Sequence, residues 1–213
     1  MVGIELRFGA GCKSRFNALP RLSLTVPDIT EIVREVTGAF EELRIPYRVT
    51  GSLASSAYGL ARSSQDVDLV ADLQTSHVEP LVQRLQACYY IQNDEIIEAI
   101  RLRSSFNLIH LASMFKVDVF LLKTRPFDRQ TFQRLQRLPL ASPNSPPADF
   151  MAPEDLILQK LEWYQLGERT SERQWRDVLG ILKVQGSNLD VTYLQRWARE
   201  LGFQDLLDQA LKA

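Results

Sequence analysis

The spacing of apolar residues divides the chain into a mixed first part and a helical second part. From Ile29 to Leu43, apolar residues recur every three or four positions behind Asp28, a candidate helix cap. Four later segments have strand character: 47–50, 66–70, 106–110 and 116–122. From residue 153 onward the helical period dominates, with Ser171 and Asp190 as further candidate caps. Mixed helices and strands followed by helices predict an α+β protein.

Proline and small polar residues mark the predicted domain boundaries. Residues 141–152 are rich in proline, serine and asparagine, a composition typical of a linker. We therefore expect an N-terminal arm at 1–26, a core at 27–140, a linker at 141–152 and a helical domain at 153–213.

Composition excludes several classes of protein. The 213 residues carry a net charge of −1, which argues against non-specific nucleic-acid binding by the whole surface. The chain has only two cysteines and two histidines, and they form no Cys/His cluster, so we expect neither a disulfide framework nor a zinc site. No apolar run approaches the length of a membrane span, and the N-terminus has no clear signal-peptide core. We expect a cytoplasmic protein without a membrane partner.

The first candidate site combines a Gly-Ser turn with an Asp-x-Asp strand. Asp66 and Asp68 are two positions apart, so on a strand they point to the same face and repel each other. A divalent cation such as Mg²⁺ or Mn²⁺ offsets that repulsion. Gly51 and Ser52, between a strand and a helix, offer N–H groups and a hydroxyl to phosphates. The combination predicts a metal–nucleotide site, whereas Asp-x-Asp alone is as typical of a solvated strand end.

Two further features have both a functional and a structural interpretation. Asp118 interrupts an apolar strand, which indicates either a paired or metal-bound carboxylate or an exposed strand face. Between 123 and 137 the basic residues are a phosphate-facing cluster or one solvated helix face; they are Lys123, Arg125, Arg129, Arg134 and Arg137. His77 and His110 are best interpreted as residues without a catalytic role.

The C-terminal helices add a lysine and an aspartate. Lys160 falls inside the apolar arc that we predict for Leu156, Ile157, Leu161, Trp163 and Tyr164, so its ammonium either reaches solvent or points into a site. Asp177 lies just off the edge of the apolar side of the next helix. An ordinary ion pair between the two helices explains both residues equally simply.

The order strand, Gly-Ser, helix, Arg-x-Ser-x-Asp-x-Asp, strand resembles the signature of the polymerase-beta-like nucleotidyltransferase superfamily. Residues 153–161, followed by Arg176-Asp177-Val178, resemble the lysine and aspartate motifs of AbiEii-type members, which include toxins of toxin–antitoxin systems. The resemblance spans about Val49 to Leu182. It implies a minimal nucleotidyltransferase fold, a small mixed sheet flanked by helices, followed by a helical domain that closes over the nucleotide.

The resemblance also implies a role for each matching residue. Gly51 and Ser52 would hold the triphosphate, and Asp66 and Asp68 would bind Mg²⁺. Asp118 would be the third carboxylate, which activates the acceptor hydroxyl or binds a second metal ion. The remaining matches are Lys160 at the phosphates, Asp177 near the same site, and Arg62 and Ser64 supporting the loop.

The implied activity is metal-dependent transfer of a nucleoside monophosphate from a nucleoside triphosphate to an acceptor hydroxyl. The acceptor is left open between tRNA, a protein hydroxyl and a small molecule such as an aminoglycoside. The basic cluster favours an anionic acceptor, and an acidic groove would favour an aminoglycoside. A toxin would have an antitoxin protein as partner. The alternative is a non-catalytic nucleotide-binding or regulatory protein with the same fold.

Overall fold

A computed structural model describes residues 28–61, 66–140 and 145–213. The helices in these ranges are α1 (Ile29–Glu42), α2 (Gly51–Tyr58), α3 (Thr75–Leu85), α4 (Asn93–Leu102), α5 (Pro126–Gln133), α6 (Pro153–Leu166), α7 (Glu172–Gln185), α8 (Val191–Glu200) and α9 (Gln204–Lys212). The strands are β1 (Tyr47–Thr50), β2 (Asp66–Ala71), β3 (Tyr89–Tyr90), β4 (Ser105–His110), β5 (Lys116–Leu121), β6 (Leu135–Pro139) and β7 (Pro147–Met151). A short 3₁₀ helix, Gly186–Asn188, precedes α8.

Three helices begin at the predicted caps. The Asp28 side chain accepts a hydrogen bond from the Glu31 N–H at 3.0 Å, and the Asp190 side chain accepts one from the Tyr193 N–H at 2.9 Å. Ser171 accepts from the Gln174 N–H at 3.5 Å. Each bond satisfies a backbone donor that the first turn of a helix leaves without an intrahelical partner.

The strands form one mixed sheet in the order β3-β4-β5-β2-β1-β7-β6. The pairs β2–β5 and β1–β7 are parallel, and the other neighbouring pairs are antiparallel. This sheet with its flanking helices and the helical C-terminal part confirm the predicted α+β class.

The two faces of the sheet differ because residues alternate along each strand. Val67, Leu69, Val117 and Val119 are almost fully buried on one face, and α1 contacts β2. Tyr89 of β3 reaches the same helix, with its hydroxyl 2.8 Å from an oxygen of Glu35. The opposite face carries the polar positions of β2 and β5 and holds the candidate site.

The stretch predicted to be a linker contains a strand. β7 pairs in parallel with β1 through Val49 and Phe150, and antiparallel with β6 along its whole length. Ala148 and Phe150 alternate toward the core and are almost fully buried, which explains why a proline-rich segment joins the sheet. Pro147 is the first residue of the strand, where a missing N–H is tolerated. Residues 147–151 of the predicted linker are therefore part of the sheet, and the linker's role as a domain boundary stays a prediction.

The helices after β7 pack on one another and on α2. Gln185 of α7 donates from its amide to the Tyr58 carbonyl at 2.7 Å, which ties the end of α2 to the helical part. Within the described ranges, no helix has the length and apolar character needed to span a bilayer. The predicted domain division between the core and residues 153–213 stays a prediction.

Candidate nucleotide and metal site

The turn between β1 and α2 lies directly against the second acid of the Asp-x-Asp pair. Gly51 has a φ of +62°, and a Cβ added there would lie 1.8 Å from Oδ2 of Asp68. Only glycine has both the backbone freedom and the space for this approach. The Ser52 N–H donates a hydrogen bond to the Asp68 carboxylate. The predicted Gly-Ser turn and the predicted carboxylate strand therefore meet in one place.

The parallel register of β2 and β5 brings the three predicted carboxylates to one region. Asp68 is the cross-strand partner of Asp118, and Asp66 is the partner of Lys116. The pKa of Asp68 is raised to about 6, first by burial and then by the charges of Asp66 and Asp118, against the opposing effect of Lys160. The three carboxylates thus interact electrostatically, as the sequence pattern predicted.

Lys116 forms an ion pair with one of these carboxylates. Its ammonium lies 2.8 Å from Oδ2 of Asp118 and is about half exposed. The hydrogen bond to Asp118 raises the pKa of Lys116, and the charges of Asp66 and Asp68 act in the same direction. The Lys116 ammonium therefore neutralises part of the negative charge of the carboxylates on the exposed side of the site.

The donor set fits a hard divalent cation, because carboxylate oxygens are the ligands that Mg²⁺ prefers. Burial, followed by the charges of Asp66 and Asp118, raises the pKa of Asp68, so a cation placed here would favour its charged form. As the side chains stand, no three His, Cys, Asp or Glu groups in the described part of the chain converge on a metal position. Asp118 is turned toward Lys116 instead, so a bound cation would require it to change partner.

Lys160 and Asp177 form a buried ion pair beside the carboxylates. The Lys160 Nζ lies 2.7 Å from Oδ2 of Asp177 and 3.2 Å from Oε1 of Gln174. The two charged side chains are only 5% and 7% exposed. Lys160 is also close enough to Asp68 to oppose the rise of its pKa. Lys160 and Asp177 thus form an interhelix ion pair, and this pair lies beside Asp68 at the candidate site.

A cavity of about 420 Å³ lies between the sheet and two helices, and Asp68 is the one of the three site carboxylates that lines it. Asp68, Val70 and Phe120 line its floor, and Lys123 lies at its far end. One face of α6 forms a wall, because residues four apart on a helix share a side. This wall contains Asp155, Gln159, Glu162, Trp163 and Leu166. The volume is in the range of small-molecule sites.

Sequence reasoning missed several residues of this cavity. The Thr50 hydroxyl donates to Oε1 of Gln159 at 2.6 Å, which links β1 to α6 beside Asp68. Gln174, three residues after the predicted cap Ser171, accepts a hydrogen bond from Lys160. Trp163 was predicted to be buried with the apolar arc, but it is 49% exposed and lines the cavity. Trp163 lies among polar positions of α6, and an aromatic residue at such positions could have indicated that it lines a ligand site.

Most of the predicted basic cluster is neutralised by acids that are distant in sequence. Arg125 binds Asp128 and Glu162, and it thereby bridges α5 and α6 across the cavity. Arg134 pairs with Glu154 at 2.8 Å and with Asp155 at 3.2 Å. Arg137 is within 3.6 Å of Glu41 and 4.0 Å of Asp149. In the described ranges, Lys123 and Arg129 have no such carboxylate partner.

Two loop residues and two histidines remain among the predicted residues. Arg62 and Ser64 lie outside the described residues, so their predicted support of the loop stays a prediction. His77 accepts from the Gln74 N–H at 3.1 Å and helps to cap α3. His110 is buried against Tyr89 and contacts the Ser113 hydroxyl at 2.8 Å. Both histidines have local structural contacts.

Comparison with known proteins gives matches in three-dimensional structure. No protein-family profile and no curated protein matches the chain. The solution structure of the antibiotic-resistance factor ANT(2'')-Ia aligns with a TM-score of 0.55 at 11% identity, over 80% of this chain and 91% of that protein. Its crystal structure with adenylyl-2''-tobramycin also gives 0.55, at 12% identity over 80% and 97%.

A third structure extends the comparison beyond that resistance factor. An antigenic nucleotidyltransferase-like protein from Paracoccidioides brasiliensis aligns with a TM-score of 0.53 at 18% identity, over 86% of this chain and 92% of that protein. The chain has the nucleotidyltransferase fold. At these identities the likeness concerns the fold, and the AbiEii-type assignment stays a prediction.

Proposed function

We propose that the protein is a magnesium-dependent nucleotidyltransferase that moves a nucleoside monophosphate from a nucleoside triphosphate to an acceptor hydroxyl. One observation carries the proposal: the Gly51–Ser52 turn lies against Asp68 at the point where three carboxylates and Lys160 meet. Phosphates need N–H donors and a cation, whereas metal ions need the carboxylates. Both kinds of group are present at the mouth of one cavity.

In the proposed reaction an acceptor oxygen attacks the α-phosphorus and pyrophosphate leaves. The acceptor hydroxyl loses its proton, the new P–O bond forms, and the bond between the α-phosphorus and the bridging oxygen breaks. Mg²⁺ held by Asp66 and Asp68 would neutralise phosphate charge and favour both the entering and the leaving oxygen. Asp118, near the exposed side, would accept the proton of the acceptor or help to hold a cation.

The chain's own residues do the positioning on which phosphoryl and nucleotidyl transfer depend. Gly51 would orient the triphosphate with its backbone N–H, and Ser52, whose N–H donates to Asp68, would contribute its hydroxyl. Lys160 would neutralise charge on the departing pyrophosphate, and Asp177 would hold the Lys160 ammonium in place. The pairing of Lys160 with Asp177 at 2.7 Å supports this arrangement.

The AbiEii-type assignment and a toxin role are a further part of the proposal. Their support is the resemblance of the lysine and aspartate motifs, together with the position of Lys160 and Asp177 beside Asp68. The matching experiment is expression of the protein in a bacterial host. Growth arrest that is lost in Asp68→Asn and relieved by a co-expressed neighbouring gene product would support the role, and harmless expression would contradict it.

The deciding experiment is nucleotide binding followed by transfer. Each of the four nucleoside triphosphates is titrated into wild type, Asp66→Asn and Asp68→Asn, with and without Mg²⁺, and transfer of labelled nucleotide to total tRNA, to proteins and to aminoglycosides is measured. Asp94→Asn, an exposed acid on α4, is the matched control. We expect Mg²⁺-dependent binding that only the two site variants lose. Binding without transfer to any acceptor would favour the non-catalytic alternative.

A further inference from the structure

A second hollow adjoins the far end of the catalytic cavity. It has a volume of about 440 Å³, and its charged lining consists of Arg103, Lys123, Arg129 and Asp72. We name it the basic hollow after these residues. It lies where β2 and β5 end, because Asp72 directly follows β2 and Lys123 comes two residues after β5.

Across the residues that the structure describes, the basic hollow contains positive charge that ion pairs do not neutralise, whereas the other residues of the basic cluster are paired with carboxylates. Arg125, Arg134 and Arg137 are paired with carboxylates, whereas Lys123 and Arg129 have no ion pair within the described residues. Arg103 is 3.9 Å from Asp72 and donates to the Leu122 carbonyl at 3.2 Å, which fixes its guanidinium near the loop. Three cations therefore face one carboxylate. Such an excess attracts an anion.

The basic hollow and the catalytic cavity are continuous along β5. Leu122, Lys123 and Phe132 line both of them. Asp68 and Asp72 are four positions apart, a separation of roughly 13 Å on an extended strand. A ligand of modest length can therefore lie with one group at the carboxylates and another among Arg103, Lys123 and Arg129.

We propose that the basic hollow binds a phosphate group carried by the acceptor, while an acceptor hydroxyl lies at Asp68 and Asp118. This rests on the proposed nucleotidyl transfer, and it names the acceptor class as phosphate-bearing. The proposed place of the triphosphate is at Gly51 and Ser52 beside Asp68, so a second anion in the basic hollow would come from the acceptor. A polycationic acceptor such as an aminoglycoside is disfavoured, since its amines would face Lys123 and Arg129.

The first arm of the test measures anion binding without any transfer. Inorganic phosphate is titrated into the full chain at constant ionic strength, and backbone amide shifts are followed by NMR. We expect saturable shifts centred on Lys123 and Arg129. The double variant Lys123→Gln/Arg129→Gln should weaken phosphate binding about tenfold or more. The control Lys183→Gln/Arg173→Gln changes the same charges on exposed positions of α7 and should bind normally.

The second arm asks whether the anion belongs to the acceptor. Ribose 5-phosphate and ribose are compared as acceptors of labelled nucleotide, and the affinity for the nucleoside triphosphate with Mg²⁺ is measured separately. We expect kcat/KM to favour the phosphorylated sugar in wild type and the preference to disappear in Lys123→Gln/Arg129→Gln. Nucleoside triphosphate affinity should stay unchanged in Arg129→Gln, because Arg129 lines the basic hollow and not the catalytic cavity.

The outcomes separate this proposal from the proposed function. Phosphate binding that is equal in the double variant and its control would overturn the basic hollow as a site, whatever the enzyme does. Equal use of ribose and its phosphate would overturn its acceptor role while nucleotidyl transfer stands. Phosphate binding in the basic hollow without nucleotide transfer to any acceptor would overturn both the proposed function and the acceptor role. The basic hollow would then be an anion-binding site only.

Discussion

Gly51 and Asp68 approach each other so closely that no side chain fits between them. The position of an ideal Cβ on Gly51 is 1.8 Å from Oδ2, 2.6 Å from Cγ and 2.7 Å from Cβ of Asp68. The backbone that would hold phosphates and the carboxylate that would hold the metal ion are thus in direct contact. A side chain added at position 51 must therefore displace the Asp68 carboxylate.

Gly51→Ala should therefore abolish Mg²⁺-dependent nucleotide binding while the protein still folds. The added methyl group displaces the Asp68 carboxylate, and a non-glycine residue at positive φ is strained by about 1–3 kcal/mol. Calorimetric titration measures the binding, and thermal unfolding measures the stability. Gly38→Ala is the matched control, because its Cβ would meet nothing within 4 Å. Unchanged binding in Gly51→Ala would show that this turn does not hold the nucleotide.

Metal and nucleotide binding should weaken as the pH falls through about 6. The pKa of Asp68 is raised to about 6, first by burial and then by the charges of Asp66 and Asp118. Below that pH Asp68 is protonated and loses its negative charge for the cation. Mg²⁺ titrations between pH 5 and 8 measure the effect. A binding curve that is flat across this range would show that Asp68 does not ligate the metal ion.

The same raised pKa makes Asp68 a destabilising residue at neutral pH in the absence of metal. A carboxyl group whose pKa is higher in the folded state stabilises the fold below its unfolded value of 3.8, and this contribution is lost as the pH rises through about 6. Asp68→Asn should therefore raise the free energy of unfolding by about 1–3 kcal/mol at pH 7, and by little at pH 4. Asp94→Asn should show no such difference between the two pH values.

The Lys160–Asp177 pair can be separated into structural and functional parts. Lys160→Ala should destabilise the protein by about 3–5 kcal/mol, because it leaves the Asp177 charge buried without its partner. Lys160→Met/Asp177→Leu replaces the pair by apolar side chains and should recover most of that stability. Transfer activity should stay lost in the double variant. An active double variant would show that the two residues are an ordinary interhelix ion pair.

Trp163 offers a direct optical signal for ligand binding. Its side chain is 49% exposed and lines the cavity, so a bound ligand should change its fluorescence. We expect quenching on addition of nucleoside triphosphate with Mg²⁺, and loss of this signal in Trp163→Phe without loss of stability. Trp197→Phe is the comparison, because Trp197 is 4% exposed. Quenching that persists in Trp163→Phe would place the ligand elsewhere.

Local patterns predicted much of the site, since they depend on short-range geometry. Asp66 and Asp68 share a face because residues alternate along a strand, and Asp118 was expected beside them through the resemblance. The predicted caps at Asp28, Ser171 and Asp190 depend on contacts within three residues and are confirmed. These features need no knowledge of how distant segments meet.

Long-range pairings could not be derived from the same patterns. The basic cluster indicated one patch, but Arg134 and Arg137 pair with acids on other elements, and only the tertiary fold determines which charges meet. The strand β7 inside the predicted linker is a second long-range pairing of this kind. β7 is stabilised by its neighbours β1 and β6, and the proline content of its own sequence gave no indication of this pairing.

The position of β7 also determines how the cavity wall is supported. β7 is hydrogen-bonded to strands on both sides, and α6 begins only two residues after it ends. Because this connection is short, the helix that carries Gln159, Lys160 and Trp163 can move little relative to the sheet. These side chains are therefore preorganised, and a ligand that enters the cavity gains affinity because little conformational freedom is left to lose there.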